Sequence, residues 1–143
     1  MVDFSTARNT LAVVGAGFCG TVLAAGLLRR PPAAPTDIVL IERGGEMGRG
    51  VAYATHEFPF LLNVPAGRLS ADAADPAQFL RFAQRRAPRI TGEDFLSRAL
   101  YGAYLQDVLA QAEHSAPEHV RLLRVFGDVR RIAPGDGGFL LEL

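Results

Sequence analysis

The stretch Leu11 to Gly20, LAVVGAGFCG, decides the fold. An apolar run closes on Gly15-x-Gly17-x-x-Gly20, and small and apolar residues follow at once from Thr21 to Leu28. This order reads as a strand, a tight turn and a helix. Gly15 lets the chain turn at the strand end, Gly17 leaves no side chain in the way of an anion, and Gly20 lets helix and strand approach closely. The free N–H groups and positive dipole end of such a helix attract a pyrophosphate.

Glycine spacing alone is weak support in a chain with 15 glycines. Its surroundings strengthen it. Val13 and Val14 supply the strand, and Ala24 and Leu27 the buried side of the helix. A second apolar run, Val39-Leu40-Ile41, stops at Glu42, 22 residues beyond Gly20. An acid at the end of the second strand, about 20 residues on, is placed to hold a ribose hydroxyl. The competing reading is an ordinary βαβ turn followed by a surface glutamate. The pattern favours an adenine dinucleotide and does not say which one.

At 143 residues with 49% hydrophobic and 21% charged content, the chain is expected to be a single globular domain, residues 1–143. Formal net charge is zero, so nothing points to nucleic acid. All 15 basic residues are arginine, which excludes Schiff-base chemistry and a lysine base. The single cysteine, Cys19, excludes an internal disulfide and a cysteine-based zinc site, and no metal is expected. The N-terminal MVDFSTARNT has no signal-peptide layout, and apolar runs fall well short of the ~20 residues of a membrane span, so the expected location is cytoplasmic.

Beyond the first helix, Arg29 to Pro35 reads as a helix stop whose prolines lie on the surface away from the site. From Arg43 to Ala74 periodicity disappears, while Val51, Tyr53, Phe58, Phe60, Leu61, Leu62 and Val64 argue for an ordered excursion over the cofactor crevice. Asp75-Pro76-Ala77-Gln78 reads as an N-cap, a first-turn proline and a capping-box glutamine, opening a helix that ends near Pro88. A second helix spans about Leu100 to Glu113, with Tyr101, Tyr104, Leu105, Val108, Leu109 and Ala112 on one stripe. Val120 to Phe126 and Asp128 to Ile132 read as strands, and Pro134 to Gly138 as a turn into Phe139 to Leu143. The fold class is therefore α/β: a Rossmann-like parallel sheet with flanking helices and an incomplete antiparallel meander at the C-terminus. So few parallel strands suggest part of a longer protein.

The motifs together resemble the FAD-NAD(P)-binding family of bacterial flavoproteins, the group that includes FAD-dependent urate hydroxylase and L-aspartate N-monooxygenase-like enzymes. The residues carrying the resemblance are Val13 to Gly20, Ile41 to Arg43, Gly48 to Tyr53 (GRGVAY), Leu61 to Ser70 (LLNVPAGRLS) and Tyr101 to Leu105 (YGAYL). GRGVAY followed by LLNVPAGR is the most particular of them. The resemblance implies FAD at Gly15, Ala16, Gly17, Phe18, Cys19 and Gly20, its AMP ribose at Glu42, and Arg43 bordering the adenine. It further implies that Gly48, Arg49 and Gly50 pass close to the cofactor and that Asn63 lies toward the flavin. Two roles stand open for Arg49 and Arg68, one at the cofactor and one bonding loop carbonyls. The related flavoproteins carry an Ala-Thr-Gly segment and a second dinucleotide motif that this chain lacks, so NAD(P)H is expected to bind in C-terminal domains of the parent protein.

Individual side chains add little chemistry. Cys19 is expected to fill the turn, His56 and Glu57 to be a surface pair, and His114 and His119 to be exposed. No catalytic residue is evident, and the redox work falls to the flavin. The function implied is an FAD-binding domain of an NAD(P)H-dependent monooxygenase or related oxidoreductase. A non-catalytic dinucleotide-binding or interaction module is the alternative. An NAD-dependent dehydrogenase ranks last, because it predicts an unbroken βαβαβ pattern after Glu42.

Overall fold

A computed structural model describes residues 8–54 and 60–143; His56, Glu57, Phe58 and the first seven residues lie outside this set. Strand β1 (Asn9–Val14) leads through the glycine turn into helix α1 (Phe18–Arg29), and β2 (Thr36–Glu42) follows. The excursion holds a short helix α2 (Gly50–Tyr53) and a single 3-10 turn at Ala66–Arg68. Helices α3 (Gln78–Gln84) and α4 (Arg98–His114) return the chain to β3 (Val120–Phe126), and β4 (Arg131–Gly135) and β5 (Gly138–Glu142) form a hairpin.

The sheet has the order β1-β2-β3 and is parallel throughout, with Leu11 opposite Ile38 and Ile38 opposite Leu122. Thr36, Ile38 and Leu40 alternate inward along β2 and join Val13, Val120 and Leu122 in one core. Helices α1 and α4 pack against each other over that layer, contributing Ala24, Ala25 and Leu28 from one and Tyr101, Tyr104, Leu105, Val108 and Ala112 from the other. The expected aromatic stripe is therefore core. Burial of this apolar stripe, rather than local propensity, gives α4 its length. Ser97 Oγ accepts the Leu100 N–H and starts α4 ahead of the expected residue.

Four expectations need correction. The capping box does not form: α3 begins at Gln78 with no side-chain cap. The Asp75 carboxylate is drawn to Arg81 instead, and Gln78 Oε1 accepts the Tyr104 hydroxyl at 2.5 Å. The hairpin is shifted along the chain, with Pro134 inside β4 opposite Phe139 and only Asp136-Gly137 left as the turn. Pro134 is tolerated because β4 has a neighbour on one side only. His119 is half-buried and its ring nitrogen lies 3.0 Å from the Pro32 carbonyl, whereas His114 is exposed as expected. Pro31, Pro32 and Pro35 are themselves half-buried at the end of the sheet opposite Glu42.

That far end is fastened by charge. Asp37 takes two hydrogen bonds from Arg121, at 2.9 and 2.8 Å, and one from Arg8 at 2.8 Å. Arg8 also donates to the Thr36 and His119 carbonyls. The Arg121 hydrogen bonds, and then the one from Arg8, lower the Asp37 carboxyl pKa from 3.8 to about 2. A carboxyl depressed on folding contributes stability fully above its unfolded value, and that contribution is lost as pH falls through the folded value. The stability gap between the wild type and Asp37→Asn is therefore expected to close as pH drops from 3.8 toward 2. Thermal melts across that range check this; a gap that stays constant with pH would exclude the Asp37 network as an acid-sensitive fastening.

Candidate functional site

The site forms where β1 and β2 end and α1 begins. Gly17 caps α1 without any side-chain cap, and the first turn carries no acidic residue. The Thr21 N–H donates to the Gly17 carbonyl at 3.0 Å, so the preceding Phe18, Cys19 and Gly20 N–H groups have no carbonyl within the helix to bond. An uncapped start of this kind favours an anion through both its donors and its dipole. A methyl group built on Gly17 would meet nothing closer than Gly50 Cα at 3.8 Å, so the position is open. Gly20 is the opposite case: its Cβ would sit 1.9 Å from the Gly15 carbonyl oxygen.

Glu42 closes the turn from the end of β2. It is only 9% exposed, and both carboxylate oxygens are engaged. Oε2 accepts the Ala16 N–H at 2.8 Å and Oε1 the Gly44 N–H at 2.9 Å. Ala16 is fully buried, and its carbonyl accepts from the Gly48 N–H at 2.8 Å and from Thr21 Oγ at 3.1 Å. Ala16 therefore supports the turn from inside, with both of its backbone polar groups bonded within the protein. Thr21, one residue after the last motif glycine, supports the turn as well: it is fully buried, and no local pattern marks its hydroxyl for that role.

The glycines of the excursion come close to protein first. Gly50, at φ 54, lies back to back with Gly17, its Cβ position only 2.8 Å from Gly17 Cα. A Cβ on Gly48 would meet Gln106 of α4 at 2.8 Å, and Gln106 Nε2 donates to the Met47 carbonyl at 3.0 Å. Opposite, Gly102 of α4 leaves room for the Arg49 stem and for Tyr53. The loop after Glu42 is thus sewn between the glycine turn and α4.

Arg49 lies against the protein's own backbone in this arrangement. Its side chain is 12% exposed, one terminal nitrogen faces the Tyr53 and Ala99 carbonyls at 3.4 Å, and Nε lies 3.1 Å from Glu46 without hydrogen-bond alignment. Arg68 is exposed in the 3-10 turn. Arg43 is exposed beside Glu42. Asn63 is exposed on a segment that leaves the turn: the Leu62 N–H bonds to Leu96, and the Ala66 and Gly67 N–H groups to Asp94 and Gly92. The start of the excursion therefore borders the glycine turn, and its later part braces the residues that lead into α4.

Aromatic rings connect these parts. Phe18 stacks on Tyr101 with centroids 6.3 Å apart, and Tyr53 meets the same ring at 5.0 Å. Tyr101 continues to Phe79 and Tyr104 at 4.9 and 5.4 Å. Burial pushes the phenol pKa of both Tyr101 and Tyr104 above its ordinary value, so both rings stay neutral. Cys19 is exposed and does not fill the turn. Among the described residues no group of three or more His, Cys, Asp or Glu side chains is arranged for a metal, and no helix is long and apolar enough to cross a membrane.

The profile of the FAD-NAD(P)-binding family matches residues 12–143. No curated protein matches the chain. Among solved structures, S-allyl-L-cysteine S-oxygenase from Allium sativum superposes with a TM-score of 0.56 at 17% identity, over 94% of this chain and 31% of the oxygenase. Lysine monooxygenase NbtG from Nocardia farcinica superposes with a TM-score of 0.54, also at 17% identity, over 94% of this chain and 41% of its own. At that identity the likeness is one of fold, and it confirms the Rossmann-like architecture. The chain spans less than half the length of either structure.

Proposed function

The chain belongs to the FAD-NAD(P)-binding family, and from that membership we propose that it is the FAD-binding portion of a longer flavin-dependent oxidoreductase, a monooxygenase that uses NAD(P)H. The observation that carries the reading is the pairing of an open, uncapped α1 start at Gly17 with the Glu42 carboxylate at the end of β2. The N–H groups of Phe18 to Gly20 would take the pyrophosphate, and the remaining lone pairs of Glu42 the ribose hydroxyls. Gly50 would shape the wall of the crevice facing Gly17, and Arg43 would lie against the adenosine half.

Bound there, FAD would supply the hydride and oxygen chemistry, for which no described side-chain constellation offers a substitute. The protein's part is to bind and orient. The nicotinamide and substrate sites are assigned to the remaining domains of the parent protein, in keeping with the greater length of both structural neighbours.

The test is an absorbance titration of the purified chain with FAD, with NADH as a parallel titrant. A co-purifying flavin band or a saturable FAD response supports the reading. A response to NADH alone would replace it with a dehydrogenase. No response to either, in this chain and in the longer parent protein, would leave a non-catalytic module.

A further inference from the structure

We infer that Glu42 is a positioning residue for the anion-binding turn, in addition to any contact it makes with a ribose. Its carboxylate is the link in a closed set of hydrogen bonds joining two glycine-rich loops. One oxygen holds the Ala16 N–H and the other the Gly44 N–H, while Gly48, four residues beyond Gly44, donates to the Ala16 carbonyl. Thr21 Oγ adds a third bond to Ala16 from the first turn of α1. The Gly15–Ala16 peptide is thereby held from β2, and the Ala16–Gly17 peptide that follows it from the loop after β2 and from α1. That peptide leads directly into the donors at Phe18 to Gly20.

The carboxylate suits this task and its neutral isostere does not. Two backbone N–H groups converge on it, so both of its oxygens must accept. A glutamine offers one acceptor oxygen and one NH2, which turns a donor toward one of the two N–H groups. Removing the side chain leaves a buried Ala16 N–H unbonded, and the turn then reorients to satisfy it. The consequence is separable from ribose recognition: a ligand with phosphates and no ribose should also bind less well when Glu42 is changed.

The ligand arm of the test rests on the dinucleotide reading of this turn; the exchange arm does not. Amide resonances of residues 16–20 and 44 are followed in the wild type, Glu42→Gln and Glu42→Ala, first for hydrogen exchange without ligand and then during titration with inorganic pyrophosphate and with ADP. Asp37→Asn serves as a control that loosens the far end of the sheet. Loss of protection at Ala16 and Gly44 is expected in Glu42→Ala, with about tenfold weaker pyrophosphate binding. Glu42→Gln is expected to lie between it and the wild type, and the control to keep its pyrophosphate affinity. The inference is overturned if Glu42→Ala weakens ADP but leaves pyrophosphate binding and Ala16 protection unchanged, or if Asp37→Asn loses pyrophosphate equally. A wild type that binds neither ligand would count against the dinucleotide reading, and the exchange data would still decide whether Glu42 holds the turn.

Discussion

Gly20→Ala is expected to destabilise the domain by about 3 kcal/mol or more, the upper range for forcing an extra carbon into packed structure. The added Cβ would lie 1.9 Å from the Gly15 carbonyl oxygen and 3.3 Å from Val13 Cγ1. The first of these contacts is with backbone, so no side-chain rotation relieves it. Helix α1 would have to move away from β1, and Ala24, Ala25 and Leu28 would lose their packing over the sheet. Urea unfolding followed by far-UV circular dichroism measures the effect. A loss below about 1 kcal/mol, the size of an ordinary surface change, would show that α1 does not depend on this approach.

Gly17→Val is expected to do the reverse: to leave the domain folded and weaken dinucleotide binding. Gly17 has an ordinary φ of −73, and the nearest atom to a Cβ there is 3.8 Å away. The protein therefore leaves room for a Cβ at this position. A ligand phosphate at the α1 start does not, because the branched side chain would stand between the anion and the Phe18 and Cys19 N–H groups. Losing one or two hydrogen bonds to a charged group, at about 1.5–3 kcal/mol each, weakens FAD by about 100-fold. Thermal melting and an FAD titration on the same preparation check both halves. Retained affinity would place the dinucleotide elsewhere, and unfolding would make Gly17 a packing glycine like Gly20.

The pair also shows why one glycine motif carries two kinds of constraint. Gly20 is required by the protein's own backbone, Gly17 by the space in front of it. From the spacing alone the two have the same letter. Gly48 and Gly50 sharpen the point. Their glycine character suggests close passage by a cofactor, yet in the fold each is first required by protein, Gly48 by Gln106 and Gly50 by Gly17.

Much of the architecture was legible because it follows from local pattern. The run ending at Val14, the glycine turn, the apolar run ending at Glu42, and the α4 stripe from Tyr101 to Ala112 are periodic signals that burial reinforces. The β3 boundaries, Val120 to Phe126, agree with the apolar reading to the residue. Side-chain partnerships were not legible. Asp75 and Gln78 spell a capping box, but Arg81 and the Tyr104 hydroxyl compete for them and win. Pro134 reads as a turn residue and lies within a strand, because the vacant side of β4 asks for no N–H there.

By itself the sequence determined the parallel α/β class, the place of the turn where β1 enters α1, and the acid at the end of β2. These depend on residue spacing, hydrophobic period and the freedom of glycine, all properties of neighbours along the chain. The tertiary structure alone decided what those residues touch. It joined Glu42 to Ala16 across 26 positions, set Gly50 against Gly17, and turned Arg49 toward the Tyr53 and Ala99 carbonyls. Such contacts arise when separate elements pack and their remaining polar groups must find partners in a space without water, and no local pattern encodes which partner is nearest.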